Sequence, residues 1–81
     1  MLRRWFVGDR CDTGDRCGTG RVAWLGICTA LGDGIFAGVE LDEPRGEEGE
    51  VAGRRYFSCA PGCGVMVAAA ALRPAPAAAQ G

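Results

Sequence analysis

Apolar residues occur along the chain in short runs that end at Gly, Asp or Pro, and no window keeps a helical period. Short runs bounded by turn residues are typical of β-strands. They predict strands over residues 20–26, 34–41, 54–59 and 64–69, and a weaker strand over 7–11. Five short antiparallel strands in 81 residues indicate an all-β fold, either a small barrel or a pair of tightly packed sheets.

Alternation within the strands assigns side chains to opposite faces. Val22 and Trp24 share one face, and we expect Trp24 in the core because large aromatic residues dominate small cores. Tyr56 and Phe57 are strand neighbours, so we expect one in the core and the other at the surface. In the strand at 34–41, one face carries Ile35, Ala37, Val39 and Leu41, and the other carries Phe36, Gly38 and Glu40.

The length of the chain predicts one small domain with a single core. We assign residues 1–6 to an N-terminal extension, 7–73 to the β-domain and 74–81 to an Ala- and Pro-rich linker or tail. The last segment lacks the large apolar side chains that a packed structure needs. Trp5 either covers the open end of the barrel or belongs to a segment upstream.

Charge and composition argue against several functions. The net charge is −1, and the nine basic residues, all Arg, are scattered among acids, so a nucleic-acid partner is not expected. No apolar run is long enough to cross a bilayer, so we expect no membrane partner. The chain has no His, which removes Ser-His and Cys-His catalytic pairs. We therefore expect neither enzymatic activity nor a cofactor.

The five cysteines do not form a metal-binding pattern. Only Cys59 and Cys63 approach the spacing of a zinc-thiolate pair, so no metal site is expected. The chain begins without a secretory signal, which predicts the reducing cytosol, where disulfides are rare. We expect the cysteines to be buried as small apolar side chains.

The order of the motifs VGDR, GRVAWLG, GIFAGVELDEP, GEEG and GRRYFSCAPGCGVMV resembles the CAP-Gly domain, the glycine-rich module of cytoskeleton-associated proteins. The match runs from about Val7 to Arg73. The resemblance implies a small, twisted, antiparallel SH3-like β-barrel in a cytoplasmic, cytoskeleton-associated protein. It also implies a non-catalytic interaction module that binds the C-terminal tails of tubulin or of microtubule plus-end proteins. Such tails are typically acidic and end in Tyr or Phe.

The resemblance also assigns candidate binding residues. The Trp of the family's groove falls on a Phe in this chain, its groove Phe falls on a Met, and its Arg-Tyr-Phe motif is kept. Its loop, Gly-Lys-Asn-Asp-Gly, is replaced by Gly-Glu-Glu-Gly at 46–49, and neither Lys nor Asn occurs anywhere in the chain. The predicted partner-binding residues are Phe36, Gly46, Glu47, Glu48, Gly49, Arg55, Phe57 and Met66.

The altered loop predicts weaker binding of an acidic tail. Lys and Asn donate hydrogen bonds to the carboxylates of the tail, and a hydrogen bond to a charged group contributes ~1.5–3 kcal/mol. Carboxylates only accept, and each Glu that faces an acidic tail adds about 1 kcal/mol of repulsion. Together these losses predict roughly hundredfold weaker binding or more. Either Arg54 or Arg55, but not both, can return positive charge to the groove, because strand neighbours point to opposite faces.

Two alternatives stay open at this point. The apolar positions also suit a proline-rich or other non-tubulin segment, as in the adaptor domains of cylindromatosis-type deubiquitinases, whose loops are similarly degraded. In the second alternative, the domain is a scaffold inside a larger enzyme and has no ligand of its own. Titration with tail peptides and proline-rich peptides separates the three possibilities.

Overall fold

The computed structural model describes residues 4–14 and 17–75, so residues 1–3 of the predicted extension and 76–81 of the predicted tail lie outside the described part. The described residues form seven short strands and one turn of 3-10 helix, which confirms the all-β fold. No helix in this part of the chain is long and apolar enough to cross a membrane. The elements are β1 (Arg10–Asp12), β2 (Thr19–Ile27), β3 (Ile35–Leu41), β4 (Glu50–Val51), β5 (Arg54–Arg55), β6 (Gly64–Ala68), the 3-10 turn η1 (Ala69–Ala71) and β7 (Arg73–Pro74).

Five strands form one antiparallel sheet in the order β6-β3-β2-β1-β7, and β4 and β5 form a separate hairpin. The predicted strands at 20–26, 34–41 and 64–69 correspond closely to β2, β3 and β6. β6 lies at one edge of the sheet, so one side of its backbone faces away from β3. This edge matters for the site described below.

The strand predicted over 54–59 is wrong in extent, since only β5 at its start is paired. The N–H groups of Tyr56 and Phe57 both donate to the carbonyl of Gly49, at 2.7 and 3.4 Å. Two consecutive donors on one acceptor cannot continue a regular ladder, in which neighbouring residues alternate in direction. The segment after β5 is therefore irregular and wraps around the loop at 46–49.

The weaker strand predicted over 7–11 begins later, at Arg10. A tight turn precedes it, in which the N–H of Asp9 donates to the carbonyl of Phe6 at 3.0 Å. The carboxylate of Asp9 accepts a second bond from the N–H of Phe6 at 2.9 Å. An Asp side chain that bonds to nearby backbone favours a turn over a strand.

One face of the sheet carries the hydrophobic core. Val22 and Val39 form a cross-strand pair there and are 1% and 0% exposed. Trp5 is also buried, which favours the first of its two predicted positions. Cys11 and Cys63 pack in the same cluster as small apolar side chains, and Cys28 is also buried, as predicted, whereas Cys17 and Cys59 are only half-buried. The buried members of this cluster are Trp5, Cys11, Val22, Ala37, Val39, Leu41, Cys63 and Leu72.

Trp24 does not belong to this core, contrary to the prediction. The ladder between β2 and β3 joins Val22 to Val39 and Trp24 to Gly38, so two steps along β2 match one step along β3. The extra residue, Ala23, forms a β-bulge, which shifts the following side chains to the other face. Trp24 therefore lies half-buried on the face opposite the core.

Candidate functional site

A groove of about 540 Å³ lies beside the outer edge of β6, where residues 45–52 pass close to that strand. Its volume is within the range of about 300–1,000 Å³ that is usual for ligand pockets. We call it the edge groove. It is lined by Cys17, Leu31, Arg45, Gly46, Glu47, Glu48, Glu50, Val51, Ala52, Gly64, Val65 and Met66.

Backbone hydrogen bonds hold the glycine-flanked loop against β6. Glu47 and Gly64 exchange two bonds of 2.6 Å, and the N–H of Gly46 donates to the carbonyl of Gly62 at 2.8 Å. The two segments approach so closely that a Cβ at Gly64 would lie 2.7 Å from the carbonyl carbon of Glu48. Main-chain pairing between glycine-rich segments therefore positions the loop, and it does not require the family's Lys and Asn.

The three predicted apolar site residues share the sheet face opposite the core. Phe36 pairs with Ala68 and Gly38 pairs with Met66, so these four residues lie on the same face. The ring of Phe57 covers Gly38, where an added Cβ would collide with it. Phe57 is consequently buried, whereas Phe36 and Met66 are half-buried. Of the three, Met66 alone also lines the edge groove.

Two more aromatic residues extend this face. The rings of Trp24 and Tyr56 meet edge to face with their centroids 4.9 Å apart. The guanidinium of Arg54 lies over the ring of Tyr56, 5.1 Å from its centroid. A hydrogen bond with the Cys28 side chain raises the pKa of Tyr56. The sequence predicts one of Tyr56 and Phe57 in the core and the other at the surface; Phe57 is buried and Tyr56 half-buried, but neither belongs to the core cluster. We call Trp24, Phe36, Tyr56 and Phe57 the aromatic face.

Most of the acidic side chains beside the groove are held by neighbours. Glu48 Oε2 accepts the N–H of Gly62 at 3.2 Å. The carboxylate of Glu50 pairs with Arg55, also at 3.2 Å. The Glu47 side chain lines the groove and has no hydrogen-bond or ion-pair partner within the described residues. The altered loop contains two glutamates, but only one of them, Glu47, presents an unpartnered carboxylate to the groove.

One guanidinium beside the aromatic face also lacks a carboxylate partner. Arg55 pairs with Glu50, and Arg45 pairs with Glu43 at 2.9 Å. Arg54 makes no ion pair with any described residue. Arg54 and Arg55 are consecutive strand residues, so they point to opposite sides of the hairpin, and Arg54 is the one on the aromatic face. Such exposed ion pairs contribute only ~0.2–1 kcal/mol each.

Several predicted site residues lie beside the groove without lining it: Phe36, Gly49, Arg55 and Phe57. Conversely, Leu31 and Val51 line the groove although no motif identifies them. Leu31 is 43% exposed in the turn between β2 and β3. The sequence did contain a signal for each: Leu31 is a large apolar residue inside a glycine-rich turn, and Val51 is a lone apolar residue in an acidic loop.

The groups around the site are mostly apolar side chains and a few charged ones. Within the described residues, no group of three or more His, Cys, Asp or Glu side chains is arranged to hold a metal ion. The groove and the aromatic face combine apolar surface with one free carboxylate and one free guanidinium. These groups suit noncovalent recognition of a chain segment that has both an apolar and a charged end.

The site thus consists of a glycine-flanked loop that pairs with the edge of a small antiparallel sheet. The chain belongs to the CAP-Gly domain family, whose profile matches residues 7–72. It is 40% identical over 54 residues to tubulin-folding cofactor B of Arabidopsis thaliana, a match that covers 65% of this chain and 22% of that protein. It is 42% identical over 65 residues to tubulin-specific chaperone B of Caenorhabditis elegans, covering 75% and 28%. The chain thus spans less than a third of the length of these relatives.

Solved structures agree with this assignment. The CAP-Gly domain of human kinesin-like protein KIF13B matches with a TM-score of 0.80 and 33% identity, over 95% of this chain and 77% of that one. The Bik1 CAP-Gly domain, solved with an ETF peptide from Bim1, matches with a TM-score of 0.61 and 26% identity, over 76% and 75%. The resemblance to CAP-Gly domains inferred from the motifs is confirmed.

Proposed function

We propose that this domain is a non-catalytic module that binds the C-terminal segment of a cytoskeletal partner. The observation that carries the proposal is the edge groove, which runs beside the glycine-flanked loop and has Met66 in its lining. The terminal aromatic side chain of the ligand packs against Met66 and Phe36, and Glu47 faces the polar part of the ligand. The other predicted site residues shape these surfaces; they are Gly46, Glu48, Gly49, Arg55 and Phe57.

The relatives support a cytoskeletal partner. One is named as a tubulin-folding cofactor and another as a tubulin-specific chaperone, and one structural neighbour belongs to a kinesin-like protein. The ETF peptide in the Bik1 structure supports a short segment with a terminal aromatic residue as the ligand. A cytoplasmic, cytoskeleton-associated setting is part of the proposal. The same relatives favour it over the deubiquitinase-type adaptor.

The charges around the site support tolerance of an acidic tail. Arg55 offsets the charge of Glu50, whereas the N–H of Gly62 holds the carboxylate of Glu48 in place without neutralising it. Repulsion therefore comes from Glu47 and, more weakly, from Glu48. Arg54 offers a guanidinium that no described carboxylate occupies, and its position over an aromatic ring limits its freedom before binding. We therefore assign Arg54 the role of receiving a carboxylate of the tail, in place of the family's Lys.

Fluorescence anisotropy with three labelled peptides of equal length tests the proposal. The first ends in Glu-Thr-Phe, the second is identical but ends in Ala, and the third is rich in Pro. We expect binding of the first peptide and much weaker binding of the second, because the aromatic ring supplies most of the buried apolar area. Binding of the Pro-rich peptide alone would restore the adaptor alternative, and absence of binding throughout would favour a scaffold.

A matched pair of variants tests the role of Arg54. Arg54→Ala and Arg73→Ala remove the same charge, but Arg73 lies on β7, at the sheet edge opposite β6. An exposed charge pair contributes ~0.2–1 kcal/mol, so we expect Arg54→Ala to weaken binding up to about fivefold. Arg73→Ala should leave it nearly unchanged. Equal effects would mean that only the net charge of the domain matters.

A further inference from the structure

The outer edge of β6 is only partly occupied by the rest of the chain. β6 is an edge strand, and on its outer side it meets the loop at a single bridge, between Glu47 and Gly64. Both hydrogen bonds of that bridge are 2.6 Å long. The loop then turns away toward β4, and the edge groove opens beside the remainder of the strand.

The direction of each backbone group along β6 follows from two observations. The N–H of Leu41 donates to the carbonyl of Cys63 at 2.7 Å, so Cys63 faces β3. Gly64 exchanges its bonds with Glu47, so Gly64 faces outward. Along a strand of an antiparallel ladder, the N–H and C=O groups of successive residues point alternately toward the partner strand and away from it. Val65 and Val67 therefore bond to β3, and the residues between and after them face outward.

The next two outward-facing residues are Met66 and Ala68. Within the described residues, Met66 has no partner for its outward N–H and C=O, and Ala68 has none for its N–H. The C=O of Ala68 belongs to the 3-10 turn at 69–71, of which Ala68 is the N-cap. Met66 also lines the edge groove, so these free groups stand beside the space that the ligand would enter. A row of unpaired donors and acceptors at a sheet edge is a template for pairing with another chain.

We propose that the ligand of the edge groove binds by strand addition, as a short extended segment that pairs with the outer edge of β6. The segment exchanges main-chain hydrogen bonds with Met66, accepts the N–H of Ala68 and continues the pairing that Glu47 begins at Gly64. This inference rests on the proposed function, because it specifies how that ligand is held. Its occupant is the C-terminal tail of a partner protein.

The length of the free edge favours a short tail over a longer strand. The bridge at Gly64 closes one end, and the 3-10 turn at 69–71 closes the other. Only two outward-facing residues lie between them, which suits about three residues of ligand. A segment that ends in a free terminus meets no obstruction beyond this short stretch.

Strand addition also accounts for binding without the family's loop donors. Backbone N–H and C=O groups are neutral, so their pairing neither needs a Lys nor suffers from Glu47. Side chains of an added strand alternate between the two faces of the sheet. One side chain in two would therefore point toward the aromatic face, where Met66 and Phe36 lie, and the next toward the side of Val65.

Backbone N-methylation of the peptide ending in Glu-Thr-Phe tests the inference. Each of its last four residues is methylated in turn, which removes one N–H donor and leaves the side chain unchanged. Because alternate residues of an added strand face β6, we expect about tenfold weaker binding at alternate positions. Methylation at the intervening positions should change binding by less than about threefold.

A variant of the domain provides the complementary test. Met66→Pro removes the outward N–H of an edge residue, while the bonds to β3 are made by Val65 and Val67. We expect about tenfold weaker peptide binding with an unchanged circular dichroism spectrum. Met66→Leu, which keeps the N–H and a similar volume, should bind nearly as the parent does. Because Pro also removes the side chain that contacts the ligand, Met66→Ala, which keeps the N–H, is the matched control, and Met66→Pro should bind clearly more weakly than Met66→Ala. If Met66→Pro fails to fold, the peptide series alone decides the question.

The outcomes separate this inference from the proposed function. If the unmethylated peptide does not bind, the proposed function fails and the inference fails with it. If it binds but all methylated positions have similar effects, the proposed function stands and strand addition is wrong. Analytical ultracentrifugation covers the other occupant of an open edge, a second copy of the domain. A dimer that Met66→Pro abolishes and the peptide does not displace would overturn the inference.

Discussion

Replacing Glu47 with Gln is expected to strengthen the binding of an acidic tail about fivefold. Glu47 lines the edge groove, and within the described residues its carboxylate has no partner. Two unit charges about 4 Å apart in water repel each other by about 1 kcal/mol, and 1.4 kcal/mol corresponds to a factor of ten in affinity. Gln keeps the size of the side chain, so the change removes the charge and leaves the shape of the groove intact.

Glu48→Gln is the matched control, since it removes the same charge at the adjacent position. The hydrogen bond from the N–H of Gly62 leaves the charge of Glu48 in place but holds its carboxylate at residue 62, so we expect a smaller gain in tail affinity, of less than about twofold. Anisotropy titrations at ionic strengths of about 0.01 M and about 0.15 M measure both effects, because the screening length falls from about 30 to about 8 Å. The gain from Glu47→Gln should shrink at the higher salt. Equal gains from the two variants, or a gain that salt does not alter, would refute the reasoning.

Three further predictions concern the fold itself. Gly38→Ala should destabilise the domain by about 1–3 kcal/mol, because its Cβ would overlap the ring of Phe57; an unchanged urea midpoint would contradict this. A hydrogen bond from Arg10 lowers the pKa of Asp42 from 3.8 to about 2, so the stability that Asp42 contributes is present above about pH 4 and is lost as the pH falls toward 2. In acid denaturation, the Asp42→Asn variant should therefore lose less stability than the parent as the pH falls from about 4 to about 2; an equal loss in both proteins would contradict this. Burial raises the pKa of Cys11 from 9.0 to about 11, so mass spectrometry should find its thiol alkylated near pH 9 only after unfolding.

The central strands could be predicted from the sequence because burial on one face imposes a clear alternation. Ala37 and Val39 are both fully buried, as alternation along β3 indicates. Ile35 has the same parity but is 53% exposed, because it lies where β3 leaves the turn, opposite Ile27, which is 66% exposed. Alternation along a strand therefore predicts the face on which a side chain lies, whereas its burial also requires a neighbour that covers it on that face.

The location of the candidate loop could be predicted from the sequence, but which of its acidic side chains is left unpartnered could not. Glu47 and Glu48 are adjacent and chemically identical, and their difference arises from the N–H of Gly62, fourteen positions beyond Glu48. In the same way, alternation limits the aromatic face to one of two neighbouring arginines without saying which. Arg54 is selected because the ring of Tyr56 lies on its side of the hairpin. Both outcomes depend on contacts between segments that are distant in sequence.

The position of Trp24 shows that a register shift of one residue can change which side chains form a site. The motif RVAWLG alternates regularly, so strict period-two pairing would send Trp24 into the core. The bulge at Ala23 instead places it opposite Gly38, on the aromatic face. A Cβ at residue 38 would lie 3.2 Å from the Cβ of Trp24 and would collide with the ring of Phe57. The bulge and the glycine thus depend on each other, since the first brings an indole to this face and the second leaves room for both rings.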